Sequence, residues 1–255
     1  MTKISFLLFV TLLLCLLSQG DLLAQETNKP STVVKQFYEH LKAKRYVEGF
    51  KLSVYRSAVE GLSSEEMKDL TSEFERMAVA LPEHIEPSGE QISGETATVF
   101  IKLSATNQPQ EVGLVRVDGQ WIVGDRETYE VVKKQGRAFF INTRLRVSEA
   151  EANEWMLEIL GAQLVYFKSK QQYTTLDELL KLGGVSQQLT ANNSYRFDLK
   201  LGADGRSFSI TAVPTTYGRT GRLSFYTDQN NIVRAEDKAG QPASPSAPPY
   251  APVKE

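Results

Sequence analysis

The chain has 255 residues, 41% of them hydrophobic and 24% charged, with a formal net charge of −2 and an isoelectric point near 5.9. That composition is ordinary for a globular protein and excludes wholesale disorder. The near-neutral charge excludes the clustered basic surface of a nucleic-acid binder, and the short run Lys42-Ala43-Lys44-Arg45 fits a solvated helix face. Two modest domains or one large one can be built from this length.

Residues 1–24 read as a signal peptide. Lys3 gives a positive start, and Ile4 to Leu17 is an almost unbroken apolar run of the usual length. Cleavage after Gly20 or after Ala24 fits the small residues there, and Ala24 is preferred because polar sequence follows it directly. The run is short for a membrane span, which needs about 20 apolar residues, so anchoring arises only if the segment stays uncleaved. Cys15 is the sole cysteine and follows Leu14, where a lipoprotein signal needs a small residue. A cleaved product would contain no cysteine, and therefore no disulfide and no thiol-based metal site.

Residues 29–137 read as a first α+β domain. Pro30, Ser31 and Thr32 open a helix carrying Val34, Phe37, Tyr38 and Leu41, and Tyr46, Phe50 and Val54 continue at helical spacing. Ser63 with Glu66 forms a capping box. Met67, Leu70, Phe74, Met77 and Leu81 then make one apolar stripe that ends at Pro82. Period-two alternation follows from Thr96 to Ile101 and from Val112, and Val117-Asp118-Gly119-Gln120-Trp121 marks a tight hairpin. Helices followed by antiparallel strands give an α+β arrangement.

With its opening TVVKQFYEHLKAKRYVEGFKL and the segment EVGLVRVDGQWIVGD, this half resembles the nuclear transport factor 2-like, or cystatin-like cone, superfamily. Enzymatic members of that superfamily hold an acid, a base or a histidine inside the cone. The resemblance therefore directs attention to Tyr38, Glu39, His40 and His84, and to Trp121 as either core or pocket wall. Neither histidine has a partner at a recognisable spacing, so both read as surface or rim residues. No catalytic residue, metal site or cofactor is assigned, and the ligand-binding residues stay open.

The basic stretch from Lys133 to Arg146, with Phe139-Phe140, reads as a linker or as packing between domains. Residues 138–237 form a second α+β domain, with a helix opened by Ser148 and a second capping box at Glu151. Between Trp155 and Phe167 only Glu158 and Gln163 are strongly polar, so this helix is expected to be covered on both sides. The sheet would cover one side, and the first domain or a second copy the other; Leu157 and Leu164 are the residues to test. Tyr195 to Leu201 and Phe208 to Ala212 alternate around Asp204-Gly205, and Pro214 stops the second strand. A last hairpin turns through Asp228-Gln229-Asn230-Asn231.

The order of this half, from QQYTTLDEL through YRFDL and FSITAVP to RTGRLSFYTDQNNIVR, resembles the globular part of type IV pilin-like and type II secretion pseudopilin proteins. The resemblance implies contacts with envelope proteins or a place beside a secretion filament. Pilins, however, begin with an apolar anchoring helix, and here the stretch from Arg144 to Glu154 is charged. Some pseudopilins bind calcium near this hairpin; Asp228, Glu236 and Asp237 offer oxygens, but their spacing fits turn capping and solvated acids better. Residues 238–255, with five prolines among alanine and serine, read as a disordered tail.

The sequence thus predicts an exported, non-enzymatic binding or scaffolding protein of the bacterial envelope, periplasmic or secreted, with protein partners. The alternatives are a small apolar ligand or acid–base chemistry in the cone, and an accessory of a pilus-like filament.

Overall fold

The computed structural model describes residues 29–78, 85–103 and 106–252. The expected signal segment, His84, Leu81 and Pro82 lie outside them. The fold is α+β, with two four-stranded antiparallel sheets among the described residues, and the chain divides after Phe140 into two compact units.

In the first unit, helix α1 (Pro30–Lys42) starts with proline at its first position, where the missing N–H costs nothing. Its N-cap is Lys29, without a side-chain cap; the Ser31 N–H is instead met by the Glu90 carboxylate at 2.9 Å. Short helices α2 (Tyr46–Lys51) and α3 (Arg56–Val59) follow. Val54 does not continue the helical spacing read from the sequence. Leu52 and Val54 bond Val123 through their backbones at 2.9 Å each, breaking the helix. The predicted stripe is likewise split, into α4 (Ser64–Asp69) and α5 (Thr71–Ala78); Leu70 and Phe74 are buried while Met77 is exposed.

The sheet is a meander of β1 (Glu86–Ser93), β2 (Thr96–Leu103), β3 (Thr106–Val117) and β4 (Gln120–Val123). Val117 pairs with Gln120 across Asp118 and Gly119, both at positive φ (50° and 77°), which is the backbone a two-residue hairpin requires. On one face Val33 and Val34 pack with Ala97, Val99, Ile101, Leu114 and Trp121. On the other, Val54, Val115, Val117 and Ile122 pack with Tyr129 of α6 (Arg126–Gln135). Phe139 and Phe140 complete an aromatic cluster with Phe50, Tyr55 and Phe74, with Phe140 5.2 Å from Phe74 and 5.8 Å from Phe50.

The Ser63–Glu66 capping box is formed. Hydrogen bonds from the Ser63 backbone, then from Arg137 at 2.7 Å, hold the Glu66 carboxyl at about 2, against 4.5 ordinarily. Whatever stability this exposed carboxylate adds is therefore complete above about pH 4.5 and is lost as the pH falls towards 2. Glu66→Gln should flatten that acid limb of the melting profile; an identical limb would contradict the assignment.

The second unit is built on α7 (Ala138–Lys170), one continuous helix of 33 residues. Ser148 is consequently a buried mid-helix residue and opens no capping box. The helix has no breaker at this point, so the S-x-x-E pattern cannot act as a start. Below α7 lie α8 (Leu176–Lys181), capped by Thr175, and a meander of β5 (Tyr195–Leu201), β6 (Phe208–Pro214), β7 (Leu223–Asp228) and β8 (Arg234–Asp237). Met156, Ile159 and Leu160 meet Ile210, Ala212 and Phe225 in its core. Gly221 leaves room for the Tyr195 ring, which a β-carbon there would strike; the Tyr195 hydroxyl donates to the Leu223 carbonyl at 2.8 Å.

The Pro-rich stretch corrects the expectation of disorder over the residues described. Residues 243–250 lie along the outer edge of β8. The Ala235 N–H donates to the Pro248 carbonyl at 3.0 Å and the Tyr250 N–H to the Val233 carbonyl at 2.9 Å, with Pro249 opposite Arg234. Ala243 and Ala247 are buried, and the Tyr250 ring stands edge-on to Phe225 at 5.1 Å. An edge strand offers unpaired backbone groups; a proline-bearing segment can satisfy them with its carbonyls while its missing N–H groups face elsewhere.

Candidate functional site

The residues singled out for chemistry do not form a reactive group. Tyr38 is half-buried against the Val33–Trp121 cluster, and burial pushes its hydroxyl above the usual tyrosine range. Glu39 is exposed, 3.9 Å from Lys35. His40, in the last turn of α1, is half-buried, and its Nδ1 meets no hydrogen-bond partner among the described residues. Trp121 is 6% exposed, with the Arg116 guanidinium 5.6 Å from its ring, and serves as core. Tyr38, His40 and Trp121 line neither the shallow cleft that Glu39 forms with Pro87 nor a cleft in the second unit.

The acidic residues near the last hairpin are engaged in turns. Asp228 accepts from the Asn230 N–H at 2.9 Å, Glu236 from the Ser244 N–H at 2.7 Å, and Asp237 from the Ala239 N–H at 3.0 Å. Among the described residues no three acidic, histidine or cysteine groups gather closely enough to hold a metal ion.

Two surface features remain, both on the second unit. One is a cleft of about 450 Å³ between the first half of α7 and the end of the Pro-rich segment, lined by Arg146, Val147, Glu149, Leu223, Tyr250 and Pro252 among others. Glu149 is not free to serve a ligand there, because its Oε1 accepts from the Arg222 and Leu223 N–H groups at 2.9 and 3.1 Å.

The other is the outer face of α7. Its inner face runs Leu145, Ser148, Ala152, Met156, Ile159 and Gln163, all buried. Opposite lies a second row at strict three–four spacing: Val147, Ala150, Glu154, Leu157, Gly161, Leu164 and Lys168, all exposed. Val165 flanks it and is 70% exposed; Leu157 is 50% exposed. The apolar character seen all round this helix thus resolves into one covered seam and one open seam. Leu157 and Leu164 stand one heptad apart in this row, a spacing that can receive another helix, and with Val165 they make an exposed apolar patch of the kind that marks an interaction site. Covering each such side chain is worth about 1.5–3 kcal/mol.

Comparison with protein-family models, with curated proteins and with solved structures returned no match. The resemblances of the two halves therefore rest on the sequence motifs alone. The outer seam was legible in the sequence as excess apolar residues, though which of them face outward was not.

Proposed function

We propose that the chain is an exported, non-enzymatic binding or scaffolding protein of the bacterial cell envelope, acting through protein contacts made by the outer face of α7. The exposed seam Leu157–Gly161–Leu164, with Val165 beside it, carries this reading. A surface helix of a globular protein ordinarily keeps its outer face polar; four apolar or small positions in two turns are a cost without a partner. The leader-like residues 1–24 support export, and the resemblances of the two halves to cone-type and pilin-like modules support a role in recognition. Of the candidate residues of the first half that are described, Tyr38 and Trp121 pack in the core cluster, Glu39 is exposed and His40 is half-buried.

The test is crosslinking in cells of the native chain against Leu157→Glu and Leu164→Glu. Both variants should melt like the native chain, since neither side chain belongs to the core, and both should lose most of the crosslinked products. Unchanged products from both variants would remove the reading.

A further inference from the structure

Resting on that reading, we propose that the partner of this face is a second copy of the chain, with the two α7 helices packed antiparallel about a two-fold axis near Gly161. Three observations converge on it. The seam keeps three–four spacing from Val147 to Lys168, the spacing at which two helices can pack row against row.

At the middle of the row stands Gly161. Nothing lies within 4 Å of the place a β-carbon would occupy there, so two helices can approach closely at this point. A glycine in mid-helix is otherwise unfavourable, and the fold of the second unit itself does not require it.

Within the row itself Glu154 lies on the N-terminal side of Gly161 and Lys168 on the C-terminal side, both exposed. Glu154 and Lys168 are equidistant from Gly161 in the sequence. An antiparallel pair centred there sets each Glu154 against the partner copy's lysine end, and Leu157 against the Leu164–Val165 end. Parallel packing would set acid on acid and base on base. The antiparallel arrangement is also isologous, the form that closes on itself as a dimer.

The experiment uses the full chain carrying Cys15→Ser, so that introduced thiols stand alone. Sedimentation equilibrium should show a reversible dimer. Gly161→Leu, which fills the close approach at a position where a β-carbon has open space around it, should weaken it by roughly tenfold or more at an unchanged or higher Tm. Glu154→Lys and Lys168→Glu should each weaken it severalfold, and the two together should restore it. Mixed Glu154→Cys and Lys168→Cys chains should form the 154–168 disulfide in preference to either self-pair.

A chain that stays monomeric into the millimolar range, or one that forms the self-pairs instead, overturns the proposal. In the monomeric case the crosslinking variants separate the two ideas. Loss of crosslinks in Leu164→Glu leaves the protein-contact reading standing with a different partner, whereas unchanged crosslinks remove both.

Discussion

Replacing Gln163 with leucine is expected to destabilise the second unit by roughly 2–6 kcal/mol. Gln163 is fully buried. Its Nε2 donates to the Thr174 carbonyl at 2.6 Å, and its Oε1 accepts from the Thr174 N–H at 3.0 Å. One side chain thus satisfies both backbone groups of a residue in the connection after α7. Leucine fills the volume but leaves a buried donor and a buried acceptor unpaired, each costing about 1–3 kcal/mol. Gln163→Glu separates this from packing. At neutral pH the ionised carboxylate can accept from Thr174 but cannot donate to it, and the buried charge is unfavourable. Once protonated in acid it can do both, so the variant should regain stability as the pH falls. Chemical denaturation at two pH values checks it. If the leucine variant unfolds at the native midpoint, Gln163 does not hold this connection.

Ending the chain after Lys238 is the second large effect. It removes Ala243, Ala247 and Tyr250 from the core and strips β8 of the backbone partners supplied by Pro248 and Tyr250. It also removes the carbonyl of Ala247, which accepts from the Arg234 guanidinium at 2.7 Å, and the Ser244 N–H that serves Glu236. The lost apolar burial alone is worth about 3 kcal/mol, a fall in Tm of roughly 12–24 °C for a unit of this size. An uncovered edge strand also invites pairing between chains, so the truncated protein should aggregate on standing. Tyr250→Phe keeps the ring against Phe225 and should melt within a few degrees of the native chain, whereas Tyr250→Ala should fall between the two. A truncated chain with the native Tm would show that the segment adds nothing to the fold.

The elements most legible in the sequence were those whose local chemistry and burial agree. The Asp118-Gly119 hairpin, the Ser63 cap, and the alternating Phe208, Ile210 and Ala212 were of this kind. β1 escaped because it is an edge strand of mostly exposed polar residues, EPSGEQIS, with no alternation to read. α6 escaped because Arg126 to Gln135 buries only Tyr129 and Val132. Ser148 misled because a capping pattern is local, whereas the helix through it is held by contacts made before and after. Composition alone condemned the Pro-rich segment, since proline and alanine cannot build a core; they can nevertheless complete one that already exists. The same limit hid the candidate surface. Periodicity shows that α7 has too many apolar residues, but only tertiary packing decides that Met156 and Ile159 turn inward while Leu157 and Val165 turn out.

The central claim, that the outer face of α7 is where this protein meets its partner, is tested most directly by a photoreactive side chain placed singly at positions 157, 164 and 165 and, as a control, at exposed Lys200 on β5. Illumination in cells should give discrete products from the three helix positions and none from position 200. Equal labelling at all four, or products from position 200 alone, would contradict it.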